Sequence, residues 1–215
     1  MAARRIPDGW RARDQPDRRA GERRIPITLS ASGSYRLTSN LSVAGNAAAI
    51  AVAADDVFID LNGFTITGGS PCAAVPPPVG SGSGIVGTAK GTTVENGTVR
   101  GFGAYGLSLG DEGRAANVRV RCAGVAGIRL GAEGRVEQSS VSRSTVGIET
   151  GSSALLVDNE ITSNSGFGLS LGAGSALRGN MLVDNNGGNQ NLQFEAPQGS
   201  FELGPNRCGA GLSCV

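Results

Sequence analysis

Histidine is absent from this chain, and with it goes the commonest general base and metal ligand of enzyme sites. The four cysteines stand in neither C-x-x-C nor Cys/His spacing, so a zinc centre is not expected. Aromatic residues are almost as scarce. Six Phe, two Tyr and one Trp in 215 residues cannot fill the core of an ordinary globular enzyme. Whatever is packed must be narrow and lined by Val, Ile, Leu and Ala. Residues 1–24 lack the apolar stretch that a signal peptide or membrane span requires, and no membrane span is expected.

Net charge says little until the chain is divided. Residues 1–24 carry eight Arg against four acids, whereas residues 25–215 carry 11 basic and 14 acidic side chains. The formal +1 therefore hides a basic leader, expected to be disordered, on a mildly acidic body that does not suit nucleic acid.

What the chain has in quantity is glycine, 35 in all, and it recurs with a period. A Gly-aliphatic pair returns at Gly84-Ile85, Gly106-Leu107, Gly127-Ile128, Gly147-Ile148 and Gly168-Leu169. A second series runs Val94, Ala115, Val136, Leu156, Leu177, and a third Val99, Val120, Val141, Ile161, Leu182. The steps are about 21 residues, and three positions per repeat stay in register over five repeats. Each lies in a short alternating stretch such as Val118-Arg119-Val120, the pattern of a strand with one buried face. Gly, Asn, Asp and Ser separate them, including Asn62-Gly63 and Asn96-Gly97 turns. Three strands and three corners per 21 residues make one coil. The expected fold is all-β: a single-stranded right-handed parallel β-helix occupying residues 25–215, its axis starting near Ile27.

Ile50 to Ile85 spans one coil plus 14 residues, and the surplus maps to a Pro/Gly-rich insertion at 69–83. Ile27 to Val43 supplies a leading turn over one end of the stack. A cysteine-containing cap closes the other. The asparagines Asn159, Asn164, Asn180, Asn185, Asn186, Asn189 and Asn191 read as corner residues, tolerant of left-handed backbone and able to stack amide on amide.

The run from Asp55 to Gly68, with Asn62-Gly63, and the run from Asn96-Gly97 to Phe102 resemble bacterial right-handed parallel β-helix repeat proteins of the pectin lyase-like superfamily. The likeness extends over about Ile27 to Val215, and the ending from Asn206 to Cys214 is similar to the termini of secreted members. It implies an extracellular or cell-surface location, which the even cysteine count also suits. For activity it implies lyases, hydrolases, epimerases, esterases and members with none. A polygalacturonase-like site would need a histidine. Calcium-dependent pectate lyases would imply several aspartates near an arginine.

In this register the outward positions of the first strand are Val86, Ser108, Arg129, Glu149 and Ser170. Arg129 and Glu149 fall on adjacent coils. They form either a catalytic pair, with Arg129 as base or anion clamp and Glu149 holding it or calcium, or an ordinary cross-strand ion pair. Ser108, Ser170, Tyr105, Phe102 and Phe167 are the candidate sugar contacts. Asp111, Glu112 and Glu133 form the best candidate metal set, at a corner where stacked Arg114 and Arg135 would neutralise them without an ion. Calcium enters only under a lyase, and no other cofactor is implied. Ranks of Thr that an ice-binding face would need do not continue beyond Thr65 and Thr67.

Cys208 and Cys214 close a short loop and are expected to form a disulfide, and Cys72 in the insertion is placed to reach Cys122 two coils on. Two functions follow: a structural or carbohydrate-binding β-helix module, expected to be monomeric with a polysaccharide or cell-surface glycan as partner, or a uronate-specific lyase or epimerase built on Arg129 and Glu149.

Overall fold

A computed structural model describes residues 26–73, 78–188, 193–195 and 199–209. The basic leader expected at 1–24 lies outside them, as do Asn189, Asn191 and Cys214. The described chain is a parallel β-solenoid with almost no helix. Its first face is a sheet of eight strands, from Ile27–Leu29 to Phe194–Glu195, one for each coil. The second and third faces merge into one sheet because Thr93–Phe102 and Arg114–Ala123 run unbroken around the corner between them.

The three aliphatic series stand in register. Ile85, Leu107, Ile128, Ile148 and Leu169 are successive partners on the first face. Val94 through Leu177 are partners on the second, and Val99 through Leu182 on the third. All fifteen are fully buried and fill the bore. Ile27 to Val43 is itself a coil in register, pairing with Ile50–Val52, Val57–Asp60 and Ile66–Thr67.

The recurrent glycine before each first-face aliphatic is a matter of room. A Cβ on Gly106 would lie 2.6 Å from the carbonyl oxygen of Gly127, and one on Gly127 would lie 2.8 Å from that of Gly147. Each glycine therefore admits the next coil's backbone.

Most corners turn on a left-handed residue, and these too are stacked. Asp56, Gly91, Glu112, Glu133, Ser153 and Gly174 form one column; Asn62, Asn96, Asn117, Gln138, Asp158 and Gly179 form the second; Gly101, Cys122, Arg143, Ser163 and Asp184 the third. The buried asparagines stand at corners and stack amide on amide, as expected, but they are not themselves the left-handed residues. Asn159, Asn164, Asn180 and Asn185 each follow the left-handed residue and point inward, while Asn186 is left-handed. The Oδ1 of Asn180 accepts the backbone N–H of Asn159 at 3.1 Å and its side-chain amide at 2.9 Å. Asn206 does the same for Asn180. A parallel column runs Ser144, Asn164, Asn185, Gln193. These columns satisfy corner amides that the strands leave unpaired.

The insertion starts where the third strand of its coil ends, and its described parts, 69–73 and 78–83, lie over the third corner. Ser70 N–H donates to Gly101 O and Gly80 N–H to Gly103 O. Cys72 and Cys122 form a disulfide with Cα atoms 5.3 Å apart, and Arg143 donates to Cys72 O at 3.0 Å. Cys208 is buried, while its expected partner lies outside the described residues.

Asn180→Ala strips acceptors from Asn159 and should cost about 2–3 kcal/mol in urea denaturation, as expected for buried donors left unpaired. Cys122→Ser should cost about 2–4 kcal/mol by releasing the 50-residue loop. A reductant should lower the wild-type melting temperature to or below that of the variant.

Candidate functional site

The outward row of the first face is confirmed in order: Val86, Ser108, Arg129, Glu149 and Ser170, followed by Glu195. Because strand residues alternate, Ser108, Arg129, Glu149 and Ser170 each stand between two buried neighbours, as Arg129 does between Ile128 and Leu130. Arg129 Nε lies 3.6 Å from Glu149 Oε1. Its Nη1 donates to the hydroxyl of Tyr105 at 3.1 Å, and its guanidinium lies 5.5 Å from the centre of that ring. One arginine thus ties together a phenol and a carboxylate from three successive coils. Ser108, Arg129 and Glu149, with Thr88, Asp111 and Thr150, line an open depression of about 400 Å³.

The candidate rings are not gathered there. Phe102 is only 2% exposed and belongs to the core, contrary to the expectation that it faces a sugar. Its ring lies beside Gly68 and Gly84, where the missing side chains leave space for it. Tyr105 pairs with Ala126, which pairs with Val146. Phe167 comes one coil further, where its carbonyl accepts Gly147 N–H. Three coil steps separate Tyr105 from the half-buried Phe167, roughly 14 Å at strand spacing. They form no common platform. Ser170 lies in the row but not in the depression, and no described residue of the insertion lines it.

The acidic corner is committed to turn and ion-pair contacts. Asp111 Oδ1 accepts Ala132 N–H at 2.9 Å, holding the next coil's turn. Glu112 pairs with Lys90 at 3.2 Å. The hydrogen bond and charge of Glu112 hold the Lys90 ammonium above its ordinary pKa. Glu133 is an exposed left-handed corner residue. Arg114 and Arg135, expected to neutralise this corner, turn away to Glu137 on the second face. Their strand partners the expected acids are not, since Glu137 lies on the same outward face two residues from Arg135. Among the described residues no three Asp, Glu, Cys or His side chains gather to hold a metal ion.

Glu137 was not singled out from sequence, yet it is the most enclosed ion-pair partner, with 13% of its side chain exposed. Burial works to raise its pKa, but hydrogen bonds from Arg114 and Arg135 and their charges outweigh that and leave it lowered. Its 21-residue relation to Ala116 and Glu95 placed it in an outward row, and that spacing was the available signal.

The fold and this face define a parallel β-solenoid protein with an open polar depression on one sheet. The chain matches no family model, no curated protein and no solved structure.

A carboxylate whose folded pKa is depressed contributes stability above its unfolded pKa and loses it as pH falls through the folded value. Glu137→Gln should therefore lower the melting temperature at neutral pH. The difference from wild type should shrink as acid passes below the ordinary carboxylate range, as followed by circular dichroism melts.

Proposed function

We propose that this protein is a secreted or cell-surface β-helix module of the pectin lyase-like type that binds carbohydrate on its first face and serves structurally along its length. The observation that carries this reading is the Tyr105–Arg129–Glu149 assembly. The Arg129 guanidinium bonds the Tyr105 hydroxyl on one side and faces the Glu149 carboxylate on the other, and Arg129 and Glu149 line an open depression with Ser108 and Thr150. Such a surface offers directional donors and acceptors to sugar hydroxyls, with the exposed part of the Tyr105 ring for a sugar's apolar side. The internal disulfide suits an oxidising compartment.

Proton abstraction beside a uronate carboxylate makes a different demand. An arginine serving as base must turn a nitrogen to the sugar ring of the substrate, whereas the Arg129 guanidinium is held between the Glu149 carboxylate at 3.6 Å and the Tyr105 hydroxyl at 3.1 Å. The insertion that would wall a cleft lies over the third corner instead. Calcium would belong only to that lyase reading.

A glycan array followed by calorimetry on the best hit tests the proposal. Tyr105→Ala and Arg129→Ala should each weaken binding about tenfold, the scale of one lost ring or charge-assisted contact. Unsaturated uronate product from an acidic polysaccharide, with or without calcium, that disappears in Arg129→Ala would replace the binding module by a lyase. Binding unaffected by both variants would remove the first face as the sugar site.

A further inference from the structure

The corner between the second and third faces carries a second polar depression, also about 400 Å³, that none of the expected site residues touches. Its floor is built from the left-handed column: Asn96, Asn117 and Gln138 stand on three successive coils with their side chains at the rim. Asn117 donates to Asn96 Oδ1 at 2.9 Å, which fixes that pair of amides. Thr98, Arg119 and Ser140, themselves successive partners across the third face, form the other wall.

Arg119 does not stand alone. Arg121 is two residues along the same strand, and Arg100 is the cross-strand partner of Arg121 on the preceding coil. All three are exposed. At strand and coil spacings the Cα atom of Arg121 lies roughly 5–7 Å from those of Arg100 and Arg119, and the diagonal pair Arg100 and Arg119 lie about 8 Å apart. Like charges set directly opposite destabilise a sheet, and a partner would normally be expected. Among the described residues neither Arg119 nor Arg121 has an ion pair, and Arg100 has only a long bond, 3.4 Å, to Thr67 Oγ1. Four other arginines are neutralised, Arg36 by Asp60, Arg114 and Arg135 by Glu137, and Arg129 by Glu149, while the described arginines without an ion pair outside this cluster, Arg143, Arg178 and Arg207, do not stand beside one another in the sheet. On the third face the flanking rows offer hydroxyls instead, from Thr98, Ser140 and Ser142.

We propose that this groove and its three arginines bind an acidic polysaccharide, a chain carrying carboxylate or sulfate groups at repeating intervals. Guanidinium groups bind oxyanions through paired N–H donors, and the neighbouring amides and hydroxyls match the sugar hydroxyls between the charges. Nucleic acid fits less well. The outward rows here, Thr98-Arg119-Ser140 and Arg100-Arg121-Ser142, contain no aromatic side chain on which a base would stack. The site is separate from the Tyr105–Arg129–Glu149 face and does not rest on the proposal made for it.

Calorimetry on the full chain at low salt, with oligogalacturonate, sulfated dextran, uncharged dextran and a single-stranded oligonucleotide, tests this assignment. At least one charged saccharide should bind, uncharged dextran should not compete for that site, and affinity should fall as salt rises. Which charged saccharide binds tells carboxylate from sulfate. The double variant Arg119→Gln/Arg121→Gln should lose at least tenfold in affinity and Arg100→Gln severalfold. Arg121→Lys, which keeps charge but not the paired donors, should fall between. Melting curves confirm that each variant is folded, and Arg100→Gln supplies an independent reading if the double variant is not. The proposal fails if neither charged saccharide binds, if the folded arginine variants bind as wild type does, or if the oligonucleotide binds more tightly than both saccharides.

Discussion

Everything in this molecule depends on the backbone hydrogen bonding of each coil to the next. A strand of three to five residues has little stability by itself, so its N–H and C=O groups must find partners one coil above and below. That requirement makes the chain return to the same place about every 21 residues, and it forces equivalent residues into columns. The bore then favours side chains that stack on copies of themselves, which is why Ile, Leu and Val fill most of it and Phe102 is the one buried ring among the described residues.

The corners pose the harder physical problem, since bending the chain three times per coil removes amides from the strand ladders. Two devices answer it. A left-handed residue makes most turns, and at the second and third corners of the later coils a buried side chain just after it takes up the stranded N–H of the coil before. In the later coils that side chain is asparagine; Ser139 and Ser144 hold the equivalent places one coil earlier and donate their own N–H groups to Asn159 and Asn164. The substitution is gradual along the axis. Each column ends on a different acceptor, Asn206 in one and Gln193 in the other, as the last described coil departs from the regular spacing.

Columns also govern charge. Any outward residue is flanked by its equivalents at about 4.8 Å, so an isolated charge is easily paired and a repeated one is hard to place. The first face resolves this by following Arg129 with Glu149, and the second by setting Glu137 between two arginines. On the third face the arginines stand together without such a neighbour. That contrast, more than the presence of any single residue, separates a balanced surface from one suited to an anionic ligand.

Periodicity alone determined the coil length, the three faces, the buried columns, the outward row through Ser108, Arg129, Glu149 and Ser170, and the extra length at 69–83. These follow from spacing, which is a property of the linear chain. Direction in space is not. The inward turn of Phe102 into space left by Gly68 and Gly84, the choice of Glu137 over the acidic corner by Arg114 and Arg135, and the burial of the asparagines each depend on rotamers and on what the adjacent coil leaves open. The closure of Cys72 on Cys122 needed the insertion's path over the third corner, and the meeting of Asn96, Asn117 and Gln138 with Arg119 needed two faces to share an edge. Repeat spacing places a residue in its column, but only packing between neighbouring columns decides which groups meet.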